Sequence, residues 1–310
     1  MKKVKTVYDH IRQNNIKTVI LVAMFPIIFI ALVFLFVWMV SPIDNAINTT
    51  AAVAIPTFIV CFVWLLVSWA FGDSMMLHMA RAHQIYDSDP GYREVFRSVE
   101  NVAIAAGLPT PRVYIINDDA MNAFATGRGP RDASVALTRG IINRLTRPEL
   151  EGVIAHEMAH IGNRDIRLDM LLITGVGVTV FIADAILRGA LYAPRDDNNE
   201  KSNGAAVLLM VWLAFMVFNW IITPILRMAI SRNREFAADA TGAQITRNPR
   251  ALASALRKIS TDSHVKCISD VKSMSAACIE SPAGPREFAS SLFATHPKTS
   301  VRIERLESMG

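Results

Sequence analysis

VIAHEMAHIGN, residues Val153 to Asn163, sets two histidines and a glutamate into an otherwise apolar stretch. On a helix, His156 and His160 are four residues apart, share one face and can grip a single ion. Glu157 sits one position round, close enough to address a water at that ion without binding the ion itself. A helix start is written just upstream. Thr146 and Glu149 form a capping-box pattern, TRPE, with Pro148 in the first turn, where its missing N–H has no helical partner to lose. Leu150, Val153 and Ile154 supply an inward apolar face. Two ordinary core histidines would fit the same letters. A metal centre is the sharper reading, and it requires a third ligand.

Catalytic zinc takes three protein ligands and leaves its fourth position to water. The segment SRNREFAADA, Ser231 to Ala240, offers the third. Glu235 and Asp239 again stand at i, i+4 on a helix-forming stretch. Glu235 is read as the ligand. Asp239 is read as the acceptor for the far nitrogen of one metal histidine, fixing its tautomer. The competing reading is a solvated charged face, which Arg232 and Arg234 beside Glu235 would suit. His10, His78, His83 and His264 show no ligand spacing.

The chain around these motifs is rich in apolar runs. Of its 310 residues 52% are hydrophobic and 19% charged, more apolar than a typical soluble domain. Thr18–Val40 and Ala51–Phe71 are uncharged and long enough to span a bilayer, which takes roughly 20 residues. The first is too long for a cleaved signal core and lacks a small-residue cleavage pattern. Ala205–Leu226 reads as a third span. Leu168–Leu187 is weaker, with Asp169 and Asp184 near its ends, and reads as a span, a re-entrant segment or a buried hairpin partner. Lys and Arg precede the first run and follow the second and the last, while SPIDNAINTT (41–50) carries neither. This distribution puts the N-terminus, the middle region and the C-terminus in the cytoplasm. The two ligand segments flank the last two runs. They can share one ion only if the chain crosses the membrane an even number of times between them.

The charge of +5 is thus largely a topology signal. No basic cluster interleaved with aromatics points to nucleic acid. Three cysteines without a CxxC pair argue against a disulfide-stapled secreted domain. A GxSxG nucleophile elbow is absent.

Taken with NAFATGR (122–128), ELEGVIAHEMAHIGNRD (149–165), REFAADA (234–240) and THPKTSVRIERL (295–306), the chain resembles the HtpX family of membrane-bound zinc metalloproteases, relatives of the type I CAAX prenyl proteases. The resemblance implies a multi-pass protein of the bacterial inner membrane, mainly α with a small β-sheet. Its cytoplasmic part would be a zincin-like (gluzincin) protease domain holding one Zn2+ per chain. It also implies a role in stress response, cleaving unfolded or misfolded membrane proteins. The expected organisation is a membrane region over 1–71, the first part of the protease over 72–167, a membrane or buried hairpin over 168–226 and the rest of the protease over 227–310. A non-catalytic holdase and a prenyl-protein processing enzyme are the rival readings. An intact Glu157 speaks against the holdase, and four apolar runs are few for a closed intramembrane chamber.

RVYIIND (112–118) and SVALTRG (134–140) alternate as strands do. Asn122, Ala123, Phe124 and Ala125 are expected beside them, near the metal helix, as a sheet edge that holds an extended substrate, with the Asn122 side chain clamping a peptide unit. His296 is read two ways, as an imidazole near the metal or as a residue that starts a helix before Pro297.

Overall fold

In the computed structural model the described residues are 43–192, 232–260 and 297–310, with isolated helical positions between 12 and 38 and between 209 and 220. His296 and the stretch from Cys267 to Ser281 lie outside them. Helix α1 runs Ile43–Met79, followed by β1 (Ala82–Ile85), α2 (Arg93–Ala106), β2 (Arg112–Ile116), β3 (Ala123–Thr126), β4 (Ser134–Thr138) and the short α3 (Arg139–Arg144). The metal-motif helix α4 is Arg147–Gly162. After it come α5 (Asp165–Tyr192), α6 (Arg232–Thr246), α7 (Pro249–Ile259) and α8 (Thr299–Glu307). The chain is mostly helical with one small mixed sheet.

The sheet has the order β1-β2-β4-β3, with β2 and β4 parallel and the other pairs antiparallel. Both expected strands form, and Ala123–Thr126 pairs beside β4, with Ala123 opposite Leu137 and Ala125 opposite Val135. Strand β1 was not foreseen. Its four residues, AHQI, carry no clean alternation, because the strand lies at the sheet's other edge.

Period-two alternation divides the sheet's side chains between two cores. Val113, Ile115, Ala123, Ala125, Val135 and Leu137 face α4 and α2. On the other face Ile116, Phe124 and Ala136 meet Met76, Leu77 and Ala80 of α1 and Met170, Leu171 and Ile173 of α5. The sheet is therefore clamped between the metal helix and the ends of two long apolar helices.

Helix α1 has 37 residues, about 55 Å at 1.5 Å per residue, well beyond a hydrocarbon core of roughly 30 Å. It already includes residues 43–50, written in the sequence as a connector. It also passes residue 71 without a break, and its last turns pack in the core beneath the sheet. Upstream, Ile55, Phe58, Ile59, Phe62 and Leu66 form an exposed apolar face. Among the described residues one stretch, Phe62–Met79, is long and apolar enough to cross a membrane.

Helix α4 is buried on nearly every side, not on one face as an amphipathic pattern would have it. From Glu149 to Ile161 only Glu151 is partly exposed. Its capping box is formed, with Glu149 Oε2 accepting from the Thr146 backbone N at 2.8 Å. The same carboxylate also accepts from Lys258 Nζ at 2.7 Å and from the Ser254 hydroxyl at 2.6 Å, both on α7. Burial pushes the Glu149 carboxyl up. The Lys258, Ser254 and Thr146 hydrogen bonds outweigh that and hold it at about 2. Because the folded value lies below the ordinary unfolded one of about 4.3, this contribution is present in full above that value. It is lost as pH falls toward about 2. Urea titrations between pH 6 and pH 3 should show Glu149→Gln destabilised by roughly 1–3 kcal/mol at pH 6, with the gap to the parent narrowing at low pH.

Candidate metal centre

His156 and His160 stand on the buried second half of α4, and Glu235 on the first turn of α6. Glycine lets the two helices come this close. A Cβ on Gly242 would lie 3.0 Å from the His156 backbone N and 3.2 Å from its Cα, so α6 rests directly on the backbone of α4. One turn upstream, Asp239 then reaches His156, and Glu235 reaches both histidines.

The three side chains offer ligand atoms that all lie within 4.8 Å of one another. The two Nε2 atoms are 3.2 Å apart. Glu235 Oε2 is 3.7 Å from His156 Nε2, and its Oε1 is 3.6 Å from His160 Nε2. A tetrahedral ion with bonds of 2.0–2.1 Å spaces its ligands by about 3.3–3.4 Å, so this triangle has the dimensions of one face of such a site. The ring tautomers point the same way. His156 Nδ1 lies 3.0 Å from Asp239 Oδ1, and His160 Nδ1 lies 2.8 Å from Asp165 Oδ2. A carboxylate beside Nδ1 favours the tautomer that carries its proton there and leaves Nε2 to ligate an ion. The donor set of two imidazole nitrogens and one carboxylate suits zinc.

The residues behind the ligands are ion-paired. Arg302 on α8 is fully buried and grips Asp239 with two bonds, Nε to Oδ2 at 2.8 Å and Nη2 to Oδ1 at 2.7 Å. Its guanidinium also flanks the triangle, with Nη2 3.4 Å from His156 Nε2 and Nη1 3.6 Å from Glu235 Oε2. Burial raises the Asp239 carboxyl, but Arg302 and His156 outweigh it and bring it to about 2. Asp165 is likewise lowered against its burial by Arg234 and His160. Both carboxylates therefore stay ionised behind their histidines. Glu157 is buried, and burial pushes its carboxyl above the ordinary range.

His156, His160, Glu235 and Asp239 are thus brought together. Ala123 and Ala125 pack in the same core as Val153 and Met158 of the metal helix. Asn122 is buried, with its Oδ1 accepting from the Ala123 backbone N at 2.9 Å, so its side chain is turned onto its own strand. Three participants escaped sequence reasoning. Asp165 follows the end of α4, after a turn in which Arg164 has φ 59°, so no helical period links it to His160. Arg302 and Arg234 stand in motifs quoted above, but nothing in their spacing tells a buried clamp from a surface charge.

The profile of Peptidase family M48 matches residues 92–310. The chain belongs to peptidase family M48. Curated relatives named Protease HtpX homolog agree with this. The protein from Thermoanaerobacter pseudethanolicus is 38% identical over 98% of both chains. The one from Listeria monocytogenes is 36% identical over 97% of this chain and 99% of its own. The one from Tropheryma whipplei is 41% identical over 79% and 81%. The crystal structure of S. mikatae Ste24p overlays on 89% of this chain and 62% of that one, with 15% identity and a TM-score of 0.44, too loose an overlay to argue from. As a member of M48 the chain is a metalloprotease.

The closeness of α6 to α4 yields a test that touches no ligand. Gly242→Val should force the helices apart, costing about 1–3 kcal/mol and weakening metal retention through the displaced Glu235. Chelator competition with melting curves would show this, and unchanged affinity would mean that α6 does not need this contact.

Proposed function

We propose that the chain is a zinc-dependent endopeptidase, anchored by several membrane-spanning segments in a bacterial inner membrane, that cleaves unfolded or misfolded membrane proteins on the cytoplasmic side. The observation that carries this reading is the triangle of His156, His160 and Glu235 with Glu157 buried beside it. Membrane anchoring is supported by the exposed apolar face of α1 and by the Lys/Arg distribution. Because Glu235 meets the histidines across the two later apolar runs, an even number of crossings lies between them.

Bound at the triangle, zinc would supply Lewis acidity toward a carbonyl and a water. Glu157 is assigned as general base. Its carboxylate takes the proton as water adds to the scissile carbonyl carbon, and returns it to the amide nitrogen as the C–N bond breaks. Asp239 and Asp165 hold their histidines in the ligating tautomer. A substrate strand would be gripped by β3. The Asn122–Thr138 pair is hydrogen-bonded, with Thr138 N donating to Asn122 O at 3.0 Å. By antiparallel alternation, Ala123 and Ala125 then turn their N–H and C=O groups to the side of β3 away from β4. Asn122 Oδ1 already takes the Ala123 N–H, which makes Ala125 the gripping position. Backbone pairing reads few side chains, as suits a protease that meets many sequences.

Glu157→Gln should retain zinc and lose proteolysis of an unfolded protein by about 10²–10⁴-fold, whereas Glu235→Ala should lose both. Stoichiometric zinc in the second variant would remove Glu235 from the ligand set. Ala125→Pro deletes the outward donor without breaking a β4 hydrogen bond. It should lower kcat/KM up to roughly tenfold at normal zinc content. Wild-type cleavage would move the substrate elsewhere. Reporter fusions after Phe71 and after Arg234 should both read cytoplasmic.

A further inference from the structure

Each histidine of the triangle is backed by a carboxylate, and each carboxylate by an arginine, but the two relays end in different places. Arg302 reaches Asp239 from the C-terminal helix α8. Arg234 lies on α6, one residue before Glu235, and turns toward α5. Its Nη2 donates to both carboxylate oxygens of Asp169 at 2.9 Å. Its Nη1 lies 3.7 Å from Asp165 Oδ1, while Asp165 Oδ2 takes His160 Nδ1 at 2.8 Å. Asp165 and Asp169 are i, i+4 on the opening turns of α5, and neither they nor Arg234 are more than 9% exposed. Two carboxylates one turn apart in a buried helix face repel each other. The guanidinium between them is what allows both to stay.

Resting on the assignment of His156, His160 and Glu235 as ligands, we propose that Arg234, locked by Asp169, is a positioning residue of the metal centre. It sets His160 through Asp165 and sets Glu235 through their shared backbone. One guanidinium, hydrogen-bonded to Asp169 through Nη2 and ion-paired with Asp165 through Nη1, thereby links two of the three ligands. A lysine could not do this, since a point charge lacks the rigid donor geometry. The support also reaches the long helix α1. Helix α5 continues from Asp169 into an apolar stretch and lies tight against α1, where a Cβ on Gly72 would come within 2.9 Å of the Met170 side chain. The α1–α5 pair thus carries the aspartates that aim the ligands.

The test uses the full chain, purified in detergent, with zinc as the probe. Asp169→Asn and Arg234→Lys should each weaken zinc about 10–100-fold in chelator competition, the range for lost outer-shell partners. They should lower kcat while leaving KM for an unfolded substrate near its parent value, and Asp169→Glu, which keeps the charge, should recover part of the loss. A merely structural role would instead lower the melting temperature with zinc affinity and kcat unchanged, and that result in both variants overturns the proposal. If Asp169→Asn does not fold, Arg234→Lys and Asp169→Glu carry the comparison alone. Parent protein that holds no zinc would overturn the ligand assignment beneath it.

Discussion

Buried negative charge is the constraint on which the protease core depends. Glu157, Asp165, Asp169, Glu235 and Asp239 are all buried, together with Arg234 and Arg302. Two guanidinium groups do not balance five carboxylates, and a protein interior does not tolerate unbalanced charge. A divalent cation at the histidine–glutamate triangle would remove most of the excess. A single carboxyl that exchanges a proton, which is what a general base does, accounts for the remainder. The composition of the site thus suits a cation, in agreement with the spacing of the three side chains that could hold it.

The scaffold answers that constraint by surrounding one helix. Helix α4 is packed by the sheet, by α2, by α6 through Gly242 and by α7 through Gly152, where a Cβ would sit 3.2 Å from the Leu252 backbone. Water is thereby kept from most of the charges, which strengthens each pairing. Such a site must also admit a peptide, and the sheet order suits the strand pairing we propose. The strand β3 lies at the sheet's end and packs in the same core as the metal helix. The long helices α1 and α5 close the other face of the sheet, so the membrane anchor we propose and the protease share one hydrophobic core.

Much of this was legible because chemistry fixes residue types at fixed spacings. HEMAH, the i, i+4 pair of Glu235 and Asp239, the capping box at Thr146 and Glu149 and the β3 segment could all be read from the letters. What could not be read depends on contacts between distant segments. Arg234 looked like a mark of a solvated face, yet it is buried against Asp169, 65 residues away in the chain. Arg302 meets Asp239 across 63 residues. Asp165 reaches His160 because the helix breaks at a short turn after Gly162, with Arg164 in the left-handed region. Leu150, Val153 and Ile154 face the core as read, but the burial of the rest of α4 was not legible. Polar side chains at a metal site interrupt the hydrophobic stripe, so a helix buried all round resembles an amphipathic one.

The most direct test of the metal centre is zinc K-edge X-ray absorption on the purified full-length protein. The proposed site predicts one zinc per chain, with two imidazole nitrogens and the remaining ligands oxygen, at about 2.0–2.1 Å. Sulfur scattering near 2.3 Å, a single imidazole, or protein without stoichiometric zinc would contradict the assignment of His156, His160 and Glu235.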